Sequence, residues 1–222
     1  MPASHPAAVL FDMDGTLVDT EHLWWQAAAE LAAELGLTLT DADLPDVLGQ
    51  AVEHTAAHLH RASRTSRPES ELVEHLNHAF AAKVEAEIVP RPGALALLAA
   101  LRDARIPAAL VSASPRRVVD LVLGALGPHW FATTLAAEDT PRTKPAPDPY
   151  LAAADRLGLA PAACVAVEDT PTGVASAHAA GCAVLAVPST VPIPAADGIT
   201  VLDSLVHADL GFLASLSAAP AS

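Results

Sequence analysis

Four apolar runs recur along this chain, and three of them stop abruptly at a polar cluster. Ala7-Ala8-Val9-Leu10-Phe11 stops at Asp12, Ile106-Pro107-Ala108-Ala109-Leu110-Val111 at Ser112-Ala113-Ser114, and Ala163-Cys164-Val165-Ala166-Val167 at Glu168-Asp169. The fourth, Ala183-Val184-Leu185-Ala186-Val187, leads into Pro188-Ser189. Runs of this kind, apolar without alternation, read as strands buried on both faces. Helical patterns separate them over residues 94–102, 115–126, 149–157 and 172–180, the last three followed by Gly127, Gly158 and Gly181 as stop signals. Strands alternating with short helices predict an α/β fold, a parallel sheet with helices on both faces. Ligands of such sheets bind beyond the carboxyl ends of the strands, where Asp12, Asp14, Ser112, Glu168 and Asp169 all fall.

One stretch breaks the alternation. From Thr20 to about Val89 no strand-like run occurs, and Leu23, Ala27, Leu31 and Leu35 repeat at helical spacing before Gly36. Shorter helices are predicted over 40–48 and 51–62. Ser66-Arg67-Pro68-Glu69 is a capping-box pattern opening a helix that carries Leu72, Leu76, Phe80 and Val84 on one stripe. A connection this long is not a structureless loop in a compact protein. The expected division is a core of residues 1–18 and 90–222 with a helical cap domain of 19–89, hinged near Asp19 and Pro90-Arg91-Pro92-Gly93 and able to close over the carboxylates as a lid.

The chain has 222 residues, 52% of them apolar and 17% charged, as in globular proteins. Its net charge of -14 argues against a nucleic-acid partner, and means that an anionic substrate needs a local cation. No apolar stretch approaches the roughly 20 residues that span a bilayer, and the start of the chain lacks the pattern of a signal peptide. The expectation is a cytoplasmic protein with no membrane partner, a monomer or weak homodimer. Cys164 and Cys182 lie in or beside apolar runs and read as small buried side chains. His54 and His58 share a helix face without a third ligand, so a solvated face is preferred to a zinc site.

The chemistry concentrates at the strand ends. In Asp12-Met13-Asp14-Gly15-Thr16 the two acids are two residues apart on an extended chain and point the same way, with Gly15 allowing a turn. Converging carboxylates disfavour each other's ionisation unless a cation or a chemical task accounts for them. Ser114 is a natural N-cap ahead of Pro115, whereas Ser112 sits at the strand end and aims where Asp12 aims. Lys144 stands in the stiff turn Thr143-Lys144-Pro145-Ala146-Pro147, in a chain with only 12 Lys plus Arg. Glu168 and Asp169 add further hard oxygen donors of the type Mg²⁺ takes. These parts suit phosphoryl transfer through a carboxylate nucleophile. No Gly-x-Ser-x-Gly elbow and no Gly-rich nucleotide loop is present.

The segments Asp12-Met13-Asp14-Gly15-Thr16-Leu17-Val18-Asp19-Thr20, Ser112, Lys144-Pro145 and Glu168-Asp169, in this order, resemble the four motifs of the haloacid dehalogenase-like hydrolase superfamily. The likeness covers nearly the whole chain, and the helical insertion resembles the cap of the subgroup with phosphoglycolate phosphatases, 2-deoxyglucose-6-phosphatases and beta-phosphoglucomutases. The resemblance implies a Rossmann-like core, a Mg²⁺ cofactor and an aspartyl-phosphate intermediate. It implies Asp12 as nucleophile and Asp14 as the acid for the leaving oxygen and base for the hydrolytic water. Mg²⁺ would be held by Asp12, the backbone carbonyl of Asp14 and Asp169, with Glu168 close by. Ser112 and Lys144 would grip the phosphoryl oxygens, Lys144 also stabilising Asp12 as an anion. Further substrate contacts are expected from Gly15, Thr16, Ala113 and Ser114, and in the cap from Glu21 and Gln50.

Asp14 points to phosphate esters, since the dehalogenases of the superfamily lack it. Trp24 stands where beta-phosphoglucomutases typically carry His, which looks more like the sugar-phosphate phosphatases. Gln50 follows Gly49 where the family often has Arg or Lys, which argues against a bisphosphate, and Thr143 replaces a Gly common before the motif lysine. The expected activity is a phosphatase for a small phosphorylated metabolite, a sugar or polyol phosphate. The alternatives are a sugar phosphomutase, a phosphoglycolate phosphatase or an idle phosphate-binding relative.

Overall fold

The computed structural model describes residues 5–217. The chain divides into two compact units, one of Met1–Asp19 with Val89–Ser222 and one of Thr20–Ile88.

The first unit is built on a parallel sheet. Its strands are β1 (Ala8–Phe11), β2 (Ala108–Val111), β3 (Thr133–Leu135), β4 (Cys164–Glu168), β5 (Ala183–Ala186) and β6 (Ile199–Val201). They lie in the order β3-β2-β1-β4-β5-β6, with every pairing parallel. β1 is therefore central, and its side chains and those of β2 and β4 are wholly buried. A strand buried on both faces needs apolar residues at every position, which is why these three were legible as unbroken runs. β3 and β6, the edge strands, are three residues each and mostly half-buried. They carry no such run and were not expected from the sequence.

In the second unit α1 (Glu21–Glu34), α2 (Leu44–Val47), α3 (Val52–Ser63) and α4 (Glu69–Ala86) surround a core that includes Leu31, Val47, Leu59, Leu72 and Leu76. The Trp24 ring meets Phe80 edge-on at 5.3 Å, and its Nε1 donates to Val47 O at 2.8 Å. The helix expected over 40–48 divides into a single turn at Asp41–Asp43 and the short α2. Thr40 and Asp43 cap each other reciprocally at that point, so the chain starts the turn afresh instead of running through it. The capping box expected at Ser66 does not form. α4 starts after Pro68, which has no hydroxyl to cap with, and Arg67 instead reaches Glu71 at 2.8 Å. His54 and His58 face Asp46 and Asp43 at 2.8 and 2.9 Å.

The helices of the first unit are α5 (Ala94–Asp103), α6 (Arg116–Leu126), α7 (Asp148–Arg156), α8 (Pro171–Ala179) and α9 (Leu210–Ser217). α6 buries Val118, Val119, Val122 and Leu126, one stripe at helical spacing. α9 was not expected. Both cysteines are buried and unpaired.

The chain leaves the sheet unit and re-enters it along a short seam. Asp19 N donates to Val89 O and Arg91 N to Leu17 O, both at 2.8 Å, and Val18 bridges Pro90 in antiparallel fashion. No helix among the described residues is long and apolar enough to cross a membrane.

Candidate active site

The register of the sheet assembles the site. Phe11 pairs with Leu110 on one side and with Val167 on the other, so the next residues along, Asp12, Val111-Ser112 and Glu168-Asp169, emerge together at the carboxyl edge. Asp12 N donates to Val167 O at 2.9 Å and Ser112 N to Leu135 O at 3.0 Å, fixing both residues at that edge.

Lys144 lies at the centre, 6% exposed. Its Nζ is 2.6 Å from Asp12 Oδ1, 2.6 Å from Glu168 Oε1 and 2.9 Å from Val111 O. An ammonium has three N–H donors, and these three acceptors match them. The grip on a phosphoryl oxygen expected of Lys144 therefore competes with its hold on Asp12 and Glu168 in this arrangement. Burial pulls the Lys144 pKa down, but the carboxylates of Asp12 and Glu168 outweigh it and hold the group above its ordinary value. It stays charged at any working pH. Burial drives Glu168 upward and Asp12 adds to this, against Lys144 and the Tyr150 hydroxyl, and the net direction is up.

Glu168, wholly buried, also accepts from Tyr150 Oη at 2.5 Å and from Asp169 N at 3.3 Å. A Cβ at Gly173 would stand 1.9 Å from Glu168 Oε2, so only glycine lets the start of α8 approach this carboxylate. Asp169 accepts from Thr16 Oγ1 at 3.4 Å and from Ser189 Oγ at 2.5 Å. Gly15, at φ +80°, passes so close that a Cβ would lie 2.0 Å from Asp169 Oδ2. Thr16 and Gly15, expected as substrate contacts, thus hold and admit Asp169. Tyr150 and Ser189 are parts of the site that sequence reasoning missed. No local pattern marks either residue, and only the tertiary fold brings them to their carboxylates.

The site fits a divalent cation. Asp12, Glu168 and Asp169 each offer a carboxylate oxygen within 4.8 Å of the other two, all three buried. Asp12 Oδ2 is buried without any hydrogen-bond partner. A buried anionic oxygen left so is costly, and a hard cation answers both observations. The Asp14 side chain is not among this trio, and the resemblance implies only its backbone carbonyl on the metal.

Asp14 goes instead to the serines: Ser114 Oγ donates to its Oδ2 at 2.7 Å and Ser112 Oγ to the same oxygen at 3.3 Å. Ser114 is therefore not the helix cap it was expected to be. α6 begins at Arg116, whose N–H is taken by the Glu138 carboxylate at 3.0 Å. Ala113, between the two serines, is exposed. Glu21 opens α1 in the second unit, where Gln50 Nε2 donates to Pro45 O at 2.9 Å.

Lys144 thus ties two of the three buried acids, Asp12 and Glu168, while Asp14 is held separately by the serines. A family model described as a hydrolase, haloacid dehalogenase-like hydrolase, matches residues 6–181. The chain belongs to the haloacid dehalogenase-like hydrolase family. It is 38% identical to hexitol phosphatase A of Escherichia coli (strain K12) over 188 residues, 83% of this chain and 84% of that protein. Hexitol phosphatase B of the same strain is 32% identical over 185 residues, covering 82% and 83%. Among solved structures, CbbY from Rhodobacter sphaeroides in complex with phosphate aligns with a TM-score of 0.79 at 27% identity, over 91% of this chain and 96% of that one. The family and these relatives bear out the phosphoric-ester hydrolase expected from the motifs, on the parallel-sheet fold expected from the apolar runs.

Proposed function

We propose that the chain is a Mg²⁺-dependent phosphatase that hydrolyses a sugar or polyol phosphate through an aspartyl-phosphate on Asp12. The observation that carries this reading is the contrast between two aspartates two positions apart. Asp12 is buried against the Lys144 ammonium with one oxygen unpartnered, whereas Asp14 is half-buried and held by hydroxyls. Two carboxyl groups kept in different surroundings are suited to different tasks, one as nucleophile and one as proton carrier.

In the first half-reaction the Asp12 carboxylate attacks phosphorus, the phosphorus–oxygen bond of the ester breaks, and the Asp14 carboxyl passes its proton to the departing oxygen. The products are the free alcohol and phosphorylated Asp12. In the second, water gives a proton to Asp14 as its oxygen bonds to phosphorus, and the bond to Asp12 breaks, releasing inorganic phosphate. Asp12 and Asp169 would hold the cation, with Glu168 beside them and the carbonyl of Asp14 completing the set. When bound, it neutralises charge on the phosphoryl oxygens. Lys144 keeps the Asp12 and Glu168 carboxylates together and supplies local positive charge in a chain of net charge -14.

The choice of sugar and polyol phosphates is supported by the hexitol phosphatases among the relatives and by Trp24 and Gln50 in the helical unit. The buried free thiols accord with work in the reducing cytoplasm. A phosphate-release screen with Mg²⁺ over sugar, polyol and glycolate phosphates tests the reading. Turnover of a hexitol or sugar phosphate is expected, and Asp12→Asn abolishes it. Near-normal release by Asp12→Asn protein refutes the mechanism, and isomerised sugar phosphate in place of inorganic phosphate identifies a mutase.

A further inference from the structure

The loop from β2 to α6 is built to fix the direction of one hydroxyl. Ser112 Oγ accepts from Ser114 N at 2.9 Å, a turn that serine forms with its own backbone two residues on. Ser114 O accepts from Ala137 N at 3.0 Å. With both backbone polar groups of Ser114 fastened, its Oγ is delivered to Asp14 Oδ2 at 2.7 Å. Ser112 Oγ reaches the same oxygen at the longer distance of 3.3 Å. Two donors on one carboxylate oxygen set the rotation of that carboxyl group, and the shorter contact is the stronger constraint. On the other side, Asp14 sits in a tight turn closed by Gly15 N donating to Val18 O at 2.8 Å.

We infer that Ser114 is a positioning residue that holds the Asp14 carboxyl in line with the departing oxygen of the ester. It acts on proton transfer and not on capture of the phosphoryl group, the role its place in the sequence suggested. The inference rests on the phosphatase reading above, in which Asp14 is the leaving-group acid. It has a signature that phosphate binding lacks. An aliphatic alkoxide is a poor leaving group that must receive its proton as the bond breaks, whereas p-nitrophenolate departs without one. The phosphoryl group is the same in both esters, so losing a phosphate contact slows both alike.

The test compares kcat/KM for p-nitrophenyl phosphate with kcat/KM for the aliphatic ester turned over fastest in the screen, in wild-type, Ser114→Ala, Ser114→Thr and Asp14→Asn proteins. kcat/KM stops at the first irreversible step, so regeneration of Asp12 does not enter. The ratio of two values from one sample is independent of how much of that sample is folded. Ser114→Ala should lower kcat/KM for the aliphatic ester about tenfold, a fraction of what a general acid contributes in full because Ser112 remains, and for the aryl ester under about twofold. Ser114→Thr, which keeps the hydroxyl, should restore the wild-type ratio. Equal losses on both esters in Ser114→Ala protein, with Asp14→Asn selective against the aliphatic one, overturn the positioning role and leave the phosphatase reading intact. A wild-type protein that hydrolyses neither ester, or an Asp14→Asn protein with no selectivity, overturns the reading beneath it as well.

Discussion

Replacing Tyr150 by Phe removes one hydroxyl from a fully buried ring and nothing else. The ring is wholly enclosed, and its Oη lies 2.5 Å from Glu168 Oε1. Burial first, then the Glu168 and Asp12 charges, hold this phenol far above its usual pKa, so it is a neutral donor at any working pH. A hydrogen bond to a charged acceptor contributes about 1.5–3 kcal/mol, against about 1 for a neutral pair. Glu168 Oε1 keeps the Lys144 ammonium at 2.6 Å after the substitution, so it is not orphaned, and the low end applies. The expected loss is about 1.5 kcal/mol, or a fall in Tm of about 3–6 °C for a chain of this size. Phe retains the face 5.2 Å from Lys144 Nζ and leaves no large cavity. Tyr150→Ala, which empties the site, should cost about 3–5 kcal/mol. Calorimetric melts of the three proteins measure both. A Tm drop under about 1 °C in Tyr150→Phe protein, with Tyr150→Ala strongly destabilised, would show that the ring packs there and the hydroxyl contributes nothing to holding Glu168.

Other consequences can be checked with equal directness. Mg²⁺ at about ten times its Kd should stabilise the protein by about 1.4 kcal/mol, read as a higher Tm that is absent in Asp169→Asn protein; no shift at saturating Mg²⁺ removes the metal site. Gly173→Ala should lower the urea midpoint, since overpacking costs about 1–3 kcal/mol and the new methyl meets Glu168, whereas Gly124→Ala in α6 meets nothing within 4 Å and should be neutral or stabilising. Burial holds the Cys164 thiol up at about 11 and Cys182 at about 12, from an ordinary 9.0. The unfolded chain therefore loses these protons first as pH rises past 9.0, and the contribution to stability, intact below that pH, is lost up to about 12. The fall in urea midpoint over this window should be shallower when both cysteines are replaced by Ala, and Ellman's reagent at pH near 8 should label the native thiols far more slowly than the unfolded ones.

What the sequence disclosed follows from where each residue sits. β1, β2, β4 and β5 occupy interior positions, so burial on both faces wrote them as apolar runs, and their polar end-points became the site. β3 and β6 are edges with one neighbour each, and Thr133-Thr134-Leu135 looks like any loop. Residue types at strand ends were legible as well, and the resemblance implied the pairing of Lys144 with Asp12, but the other side-chain partners were not legible. Ser114 satisfies a local capping pattern yet gives its hydroxyl to a carboxylate 100 residues away in sequence. Tyr150 and Ser189 carry no motif of their own, and their roles arise from where α7 and the segment after β5 end up around Glu168 and Asp169. Lys144 was singled out by its stiff turn, while the match of its three donors to three acceptors depends on angstrom-scale geometry that no spacing rule encodes.

The seam of Leu17–Asp19 against Val89–Arg91 behaves as the neck of a hairpin whose loop happens to be a folded body. Because the outgoing and returning chains are already laced together, the sheet registers only that they meet, and is indifferent to the length or shape of what lies beyond. A strain arising between those two points meets this laced pair of chains before it meets the turn that carries Asp12 and Asp14.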